Sequence, residues 1–239
     1  MSIIQPNKID GDINFASGTL LLVFKPLEWT SFDVVKKIRN LIKNHMNVKK
    51  IKVGHTGTLD PLAVGLIVIC TGKFTKKILE IQNQDKEYMG KFRLGATTPS
   101  FDRETKINNT YDITHITKDL IKETTKQFIG KIKQTPPIYS ALKINGKRLY
   151  NYARRDESVE IKQRSIIVKS FEITKIELPD ISFKIKCSKG TYIRCIANDF
   201  GKALKSGAYL TELCRTKIGS YDINEAVSLK EVEERIKLL

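Results

Sequence analysis

The sequence KVGHTGTLDPLAVG, residues 52–65, contains three glycines, one histidine and a single carboxylate, Asp60. Glycine adopts backbone angles that other residues resist, while Pro61 fixes its own φ and restricts Asp60 to an extended conformation. A strongly apolar run, LIVIC at 66–70, follows directly and predicts a buried strand. The segment therefore predicts a loop of defined shape that presents one acidic side chain beside a strand.

Asp60 has two interpretations. An Asp-Pro pair often opens a turn or caps a helix, with the carboxylate bonded to nearby backbone N–H groups. The residues after it are rich in valine and isoleucine and interrupted by glycine, which is typical of loop and strand rather than helix. A lone carboxylate in a rigid loop can instead act as a nucleophile. Because no second carboxylate stands near it in the sequence, a glycosidase-like acid–base pair is unsupported.

Hydrophobic patterns on both sides of this loop predict strands mixed with helices. Residues 1–18 are predicted to be a loose lead-in. The predicted strands lie at 20–24, 66–70, 87–94, 166–178, 181–187 and 209–218, and helices are predicted from Thr30, after Thr71, from Thr117, near Ile193 and from Leu229. Because these elements do not follow strict βαβ alternation, we expect an α+β fold with a mixed or antiparallel sheet.

Length and charge limit the class of protein. At 239 residues we expect one domain, with at most a modest insertion. Lysine and arginine total 42 against 26 acidic residues, which gives a formal charge of +16. Such a charge favours a polyanionic partner, nucleic acid above all. The other interpretation is a lysine-rich proteome in which lysine is the default surface residue.

Cysteine use and hydropathy indicate a cytoplasmic protein. The four cysteines, at 70, 187, 195 and 214, form no C-x-x-C pair, and the three histidines are far apart. We therefore expect neither disulfides nor a metal site. Residues 1–13 do not resemble a signal peptide, and no apolar run is long enough for a membrane span. No nucleotide-binding glycine motif and no serine-hydrolase elbow occurs.

Residues 134–157 are predicted to form an insertion that extends outward from the core. They contain Pro136-Pro137, tyrosines at 139, 150 and 152, and several interleaved lysines and arginines. Basic side chains hold phosphates and tyrosines stack on unpaired bases, so we favour RNA binding over a solvated basic loop.

Three further residues have both a structural and a functional interpretation. His55 could pack or bond the backbone, or it could stack on a base. Tyr88 fits an ordinary strand position equally well as a functional one. Arg194 lies one turn into a predicted helix whose neighbouring side chains form an apolar stripe. If Arg194 is buried, its charge needs a partner, and a carboxylate such as Asp60 would supply one.

Several of these segments together resemble one known family. GHTGTLDPLA at 54–63, Lys25-Pro26, Tyr88, YSALK at 139–143 with GKRLY at 146–150, and CSKGTYIR at 187–194 resemble the TruB family of tRNA pseudouridine synthases. The resemblance runs from about residue 20 to the end, with the motifs in the right order. It implies a pseudouridine synthase fold, with a mostly antiparallel central sheet flanked by helices and a thumb-like insertion at 134–157.

The resemblance also implies an activity. Members isomerise the T-loop uridine of tRNA, position 55, to pseudouridine without cofactor or metal. By resemblance Asp60 is the nucleophile and Arg194 pairs with it. Tyr88 packs on the target uracil and is a candidate base for the last deprotonation, and His55 occupies the space left by the flipped base. Further residues along the matching region are expected to contact the RNA: Lys25, Gly54, Thr56, Gly57, Leu59, Tyr192, Lys143, Lys147, Arg148 and Arg215.

The sequence departs from the family pattern in three places. Val64 stands where threonine is usual, and the loop 97–105 lacks the usual Thr-Asp-Thr-x-Asp run although Asp102 remains. Many relatives continue into a small PUA-type RNA-binding domain, and we expect none here but a single catalytic domain over 1–239. We expect the protein to act as a monomer on the T-arm of tRNA, with no membrane partner.

Two other functions remain open at this point. A non-catalytic RNA-binding or RNA-chaperone protein on the same fold would bind tRNA without turnover. A carbohydrate-active enzyme using Asp60 would have no RNA affinity and would leave the charge of +16 unexplained.

Overall fold

The computed structural model describes residues 2–5, 8–10, 13–155 and 157–239. Position 156, inside the predicted thumb, lies outside the described residues. In chain order the described strands are β1 (Ser2–Gln5), β2 (Lys8–Asp10), β3 (Thr19–Lys25), β4 (Val53–His55), β5 (Val64–Thr71), β6 (Lys86–Leu94), β7 (Ala96–Thr97), β8 (Asn109–Thr110), β9 (Gly130–Gln134), β10 (Lys143–Ile144), β11 (Lys147–Arg148), β12 (Arg164–Glu177), β13 (Asp180–Cys187), β14 (Ala208–Ile218) and β15 (Tyr221–Asp222).

The described α-helices are α1 (Ser31–Met46), α2 (Ile78–Gln82), α3 (Lys118–Thr125), α4 (Leu149–Ala153), α5 (Ile193–Ala203) and α6 (Leu229–Lys237). The chain divides into two compact units. The first unit comprises residues 1–88 and 213–239, and the second comprises residues 89–212. Strands β6 and β14 each begin in one unit and end in the other.

The first unit is built on a mixed sheet with the strand order β2-β1-β3-β5-β14. β3 pairs antiparallel with β5, while β5 pairs parallel with β14 and antiparallel with β4. Both faces of β3 and β5 are covered. Leu21 and Ile67 pack with α1 and α6, whereas Leu20 and Leu66 belong to the opposite cluster. Burial on both faces explains why these strands read as unbroken apolar runs.

Helix α1 starts as the sequence predicts. Thr30 is its N-cap, and the Thr30 and Asp33 side chains satisfy each other's backbone N–H groups in a capping box. Val35 and Ile38 face the core, whereas Phe32 is exposed. Because Ser31 in the same turn is buried, Phe32 is exposed through its position on the solvent-facing side of the helix.

The second unit contains a sheet with the order β6-β13-β12-β9, in which β12 pairs antiparallel with both β13 and β9. Five phenylalanine rings form its aromatic core, with centroid separations between 4.2 and 6.4 Å, in tilted and edge-to-face arrangements: Phe92, Phe128, Phe171, Phe183 and Phe200. Helix α5 contributes Phe200 to this core and buries the apolar stripe that the sequence predicts.

The predicted insertion has regular structure of its own. β10 and β11 form a hairpin around Asn145-Gly146, both with positive φ (51° and 79°), which suits a two-residue turn. The amide N–H of Leu149 donates to the carbonyl of Leu142 at 2.8 Å, and Leu149 itself is buried at the start of α4. The sequence pattern did not predict this hairpin because two-residue strands are too short to show alternation.

The α+β fold class is confirmed, and the strands predicted at 20–24, 66–70 and 87–94 lie within β3, β5 and β6. The loose lead-in is wrong for residues 2–5 and 8–10. These form β1 and β2, and β1 pairs parallel with β3. Backbone hydrogen bonds to a strand edge need no hydrophobic alternation, so the sequence carried no signal for them.

Candidate active site

The loop that carries Asp60 connects β4 to β5 and is braced at several points. The carbonyl of Pro61 accepts from the Lys25 ammonium at 3.2 Å and from the Glu28 amide at 2.9 Å. The Ser31 hydroxyl accepts from the amide of Leu59 at 2.8 Å and lies 3.2 Å from the Leu59 carbonyl. These contacts join the loop to the end of β3 and the start of α1, so the backbone on either side of Asp60 is fixed.

Lys25 lies inside this arrangement rather than on the surface. Its ammonium donates to the carbonyls of Pro26 (2.8 Å), Trp29 (2.6 Å) and Pro61 (3.2 Å). The pKa of Lys25 is lowered from 10.5 to about 8; burial is the largest cause, the Asp60 carboxylate opposes it, and the charge of Arg215 adds to the lowering. Lys25 therefore lies within electrostatic range of both Asp60 and Arg215.

His55 accepts a hydrogen bond from the loop. Its Nδ1 lies 3.2 Å from the amide nitrogen of Gly57. Burial, followed by the positive charge of Arg215, lowers the pKa of the imidazole below 6.5, so His55 is neutral at pH 7. A neutral ring is the form that can accept from Gly57, and it is also suited to contact with an uncharged base.

Four residues expected to contact RNA are buried: Lys25 (0% exposed), Thr56 (0%), Leu59 (4%) and Arg215 (1%). The hydrogen bonds described for Lys25, Leu59 and Arg215 run to other parts of the first unit. The side chains of Lys25 and Arg215 thus bond to the loop and its neighbouring segments from within, and the expected contact of these four residues with RNA stays a prediction.

Gly54 and Gly57 lie close to side chains from other segments of the first unit. A Cβ on Gly54 would lie 2.7 Å from Cδ1 of Ile78, so a side chain there would require the end of the Ile78 side chain to shift. Gly57 donates to His55 and its carbonyl accepts from Arg215 at 3.0 Å. Tyr88, on β6, is buried at 8% exposure and is the last residue of this part of the first unit.

In the second unit, Arg194 forms the centre of a buried polar cluster. Arg194 is 3% exposed and donates to the carbonyls of Ser100 at 3.1 Å and Tyr139 at 3.0 Å. Its Nε lies 3.4 Å from a carboxylate oxygen of Asp102, which is also buried. The predicted pairing of Arg194 with Asp60 would join the two units and stays a prediction.

The unusual 97–105 loop is closed by its own hydrogen bonds. The Ser100 hydroxyl donates to the Asp102 carboxylate at 2.6 Å, and the amide of Glu104 donates to the same oxygen at 2.9 Å. The hydroxyl of Thr98 donates to the Asp102 carbonyl at 2.7 Å, and those of Ser100 and Thr105 lie 2.8 Å apart. Ser100 therefore stabilises the loop whose backbone and carboxylate contact Arg194. From the sequence, Asp102 was noted only as the acidic residue that remains in a loop departing from the family pattern. The expectation that a buried Arg194 needs a carboxylate partner was a signal that could have identified its role.

Tyr192 is held by a residue that the sequence analysis missed. The side-chain amide of Gln134, at the end of β9, accepts from the Tyr192 amide at 2.8 Å and donates to its carbonyl at 3.0 Å. The Tyr192 ring also lies 5.3 Å from the Arg164 guanidinium. This reciprocal pair fixes the chain just before α5, and hence the start of the helix that carries Arg194.

The thumb presents its basic residues to solvent. Lys143, Lys147 and Arg148 are exposed. Lys147 lies 5.9 Å from the ring centre of Tyr152, whose hydroxyl donates to the Ile144 carbonyl at 3.2 Å. The hairpin thus places three cations on a folded surface where phosphates can reach them.

The described residues contain neither a candidate metal cluster nor a candidate membrane-spanning helix. No group of three or more histidine, cysteine, aspartate or glutamate side chains there could hold a metal ion. No helix within those residues combines the length and apolar character needed to cross a membrane.

We expect the amino group of Lys25 to titrate with a pKa of about 8, well below 10.5. Because the unfolded chain keeps the ordinary value, it binds more protons than the native protein between these two pH values, and stability should rise with pH across that window. Asp60→Asn should lower the Lys25 pKa further, since the carboxylate raises it. Nuclear magnetic resonance of lysine ¹⁵Nζ and ¹³Cε measures both values.

Lys91 is the internal control for this titration. It is exposed, and its hydrogen bond to Glu212 raises its pKa above the ordinary value. A Lys25 pKa that does not respond to Asp60→Asn would show that the two charges do not interact.

Comparisons with known proteins match the sequence of this chain to one family. A family model described as "TruB family pseudouridylate synthase (N terminal domain)" matches residues 43–193, which include the Asp60 loop, the thumb and the start of α5. A protein of Flavobacterium johnsoniae named tRNA pseudouridine synthase B is 55% identical over 224 residues, covering 93% of this chain and 98% of the relative. A protein of the same name from Phocaeicola vulgatus is 51% identical over 222 residues, covering 93% and 94%.

Solved structures agree with the sequence matches. A chain in the crystal structure of a Cbf5-Nop10-Gar1 complex has a TM-score of 0.70 at 27% identity, over 92% of this chain. A chain in a structure of an H/ACA RNP bound to a substrate RNA containing 2′-deoxyuridine has a TM-score of 0.67 at 25% identity. This chain spans about half the length of those two chains (54% and 53%). The family-model match and the closely similar relatives lead to one conclusion: this chain belongs to the TruB family of pseudouridylate synthases.

Proposed function

We propose that this protein is a tRNA pseudouridine synthase that isomerises the T-loop uridine at position 55 of tRNA. The relatives named tRNA pseudouridine synthase B cover almost the whole chain and support this substrate. The observation that carries the proposal is the braced loop, in which hydrogen bonds on both sides of Asp60 hold one carboxylate at a partly exposed position. Such preorganisation is what a nucleophile requires.

In the proposed reaction Asp60 attacks the target nucleotide, and the bond between C1′ and N1 breaks. The uracil then turns, C1′ forms a bond to C5, the bond to Asp60 breaks and frees the carboxylate, the proton on C5 leaves, and N1 takes up a proton. Every atom of the uridine except that exchanged proton stays in the product, so the proposal requires no metal or cofactor. Tyr88 is assigned to contact with the uracil and to the final deprotonation, and Arg194 to the Asp60 carboxylate, both by the family motif.

A base inside an RNA stack is out of reach, so the target uridine has to be flipped out at a cost of a few kcal/mol. We assign His55 to the space that the flipped base leaves. A neutral imidazole beside the loop supports this role, because it can contact neighbouring bases without a desolvation cost for a charge.

The charge distribution supports a tRNA partner. The thumb offers Lys143, Lys147 and Arg148, and Tyr192 and Gly57 remain partly exposed for contact with the RNA. The first unit adds a set of exposed lysines that flank β4 and follow β5: Lys49, Lys50, Lys52, Lys73, Lys76 and Lys77. We propose that the protein binds the T-arm as a monomer in the cytoplasm.

Release of tritium from C5 tests the proposal. A T-arm transcript labelled at C5 of its uridines should release the label from one position when incubated with the protein. A matched transcript with cytidine at position 55 should release only background. Equal release from both transcripts, or none from either, would contradict the assignment.

We expect binding of the T-arm to weaken steeply with salt, because each phosphate contact releases counterions. Replacing Lys143, Lys147 and Arg148 with glutamine should reduce the slope of log K against log salt by about 2 to 3 if each holds one phosphate. Fluorescence anisotropy with labelled RNA at several salt concentrations measures the slope.

The matched control for this triple variant removes three exposed lysines that each pair with a glutamate: Lys175, Lys230 and Lys237. It has the same net charge as the thumb variant, so it separates local phosphate contacts from overall charge. An equal loss of slope in both variants would argue against contact by the thumb.

A further inference from the structure

Arg215, on β14, has its guanidinium inside the first unit. Its Nε donates to the carbonyl of Leu66 at 2.9 Å, Nη1 to that of Thr58 at 3.3 Å, and Nη2 to that of Gly57 at 3.0 Å. Among the described residues, its hydrogen-bond acceptors are thus three backbone carbonyls. With 1% exposure, this cation is buried in contact with the loop rather than presented to RNA.

The approach of β5 to β14 makes this contact possible. Arg215 pairs with Gly65 in the parallel ladder. Gly65 has φ +109°, and a Cβ there would lie 2.5 Å from the Arg215 carbonyl oxygen and 2.7 Å from its nitrogen. Only glycine fits this position, since a side chain would meet backbone that cannot move aside. The close approach lets the guanidinium reach across β5 to the loop before Asp60.

We propose that Arg215 is a positioning residue that fixes the backbone leading to Asp60 and so holds the nucleophile in its attacking orientation. The inference rests on the proposed function of Asp60. The carbonyls that Arg215 holds belong to Gly57 and Thr58, and Asp60 is two residues beyond Thr58. On the other side, Lys25 holds the carbonyl of Pro61. The two cations thus clamp the backbone before and after the carboxylate.

An arginine suits this role better than another donor. Its planar guanidinium presents N–H groups in a fixed fork, so one side chain can hold three carbonyls in a set geometry. Lysine would carry the same charge but concentrates its donors at one point. The guanidinium of Arg215 instead directs a separate N–H group at each of the three carbonyls. Its charge also lowers the pKa of His55 and Lys25, which places it within electrostatic range of both.

Single-turnover kinetics with T-arm RNA tests the proposal. Arg215→Gln should slow conversion by about 100-fold, the size expected for a small misplacement of a reacting group. The RNA dissociation constant should change by no more than about threefold, because Arg215 does not face the substrate. Arg215→Lys should recover only part of the rate, since it restores the charge but not the fork.

Arg39→Gln is the matched control. Arg39 donates from Nη2 to the Val53 carbonyl at 3.0 Å, so it is also an arginine that holds backbone in the first unit, but at the start of β4. This variant should convert RNA at close to the wild-type rate. Amide hydrogen exchange gives a second readout that needs no activity. In Arg215→Gln the amides of residues 57–60 should exchange at least about 10-fold faster, with the core of β3 unchanged.

Several results would overturn the inference. A wild-type rate in folded Arg215→Gln would do so, as would a full rate in Arg215→Lys, because a point charge would then suffice. A loss confined to RNA affinity would indicate direct contact instead. If Arg215→Gln does not fold, the Arg215→Lys rate and its exchange pattern decide. If the wild-type protein converts no RNA, the proposed function is refuted. The hydrogen-exchange rates of residues 57–60 would still show whether Arg215 restrains this loop.

Discussion

Replacing Asp60 with asparagine is expected to lower the rate of pseudouridine formation by about 10⁴-fold or more, because the amide cannot serve as the nucleophile. The change is nearly isosteric, and the described backbone bonds around the loop do not use the carboxylate. The affinity for T-arm RNA should therefore stay within about threefold of the wild-type value. Tritium release under single-turnover conditions and a binding titration measure the two quantities separately.

Glu28→Gln is the control for the Asp60 variant. Glu28 is an exposed carboxylate whose amide donates to the carbonyl of Pro61, so it lies beside the same loop. Its replacement removes one negative charge near Asp60 and should leave the rate close to that of the wild type. A protein that keeps its activity without the Asp60 carboxylate would exclude Asp60 as the nucleophile. Binding without turnover in the wild type would instead favour an RNA-binding protein on this fold.

Arg194→Met is expected to lower the free energy of unfolding by about 3–5 kcal/mol, because it removes the counter-charge of the buried Asp102 carboxylate and the donor to two carbonyls, although Asp102 keeps its bonds from the Ser100 hydroxyl and the Glu104 amide. The exposed pair of Arg93 with Asp180 provides the contrast. Its contacts are shorter, 2.7 and 2.9 Å against 3.4 Å, but its side chains are 45% and 31% exposed. Arg93→Met should therefore cost less than about 1 kcal/mol. The burial of the two side chains, rather than the distance between their charged atoms, determines which ion pair contributes more to stability.

Urea denaturation followed by circular dichroism measures both changes in stability. Adding Asp102→Asn to Arg194→Met should cost less than the sum of the two single changes, since no unpaired charge then remains buried. If Arg93→Met destabilises the protein more than Arg194→Met, the interpretation of Arg194 as the centre of a buried cluster is wrong. Both Arg194 variants should also lose activity if Arg194 pairs with Asp60 as proposed.

Local patterns explain what the sequence predicted correctly. β3 and β5 are covered on both faces, so their sequences are unbroken apolar runs that any reading of periodicity detects. The capping box of Thr30 and Asp33 is also local, because its two partners are three residues apart. The short hairpin of the thumb and strands β1 and β2 were missed, since they depend on backbone pairing that leaves no hydrophobic period.

The sequence alone determined the composition of the candidate site: one carboxylate in a glycine-rich loop, a neighbouring histidine, and a basic insertion suited to RNA. Only the tertiary structure decided which of the basic residues are buried and which are exposed. Lys25 and Arg215 were predicted to contact RNA, and both are buried. Lys25 donates to the nearby carbonyls of Pro26 and Trp29 and to that of Pro61 farther along the chain, whereas Arg215 donates to three carbonyls from a distant segment. Arg194 likewise meets Asp102, 92 positions earlier in the chain. A charged side chain can leave water only where folding brings such acceptors together, and that depends on contacts between segments far apart in the sequence.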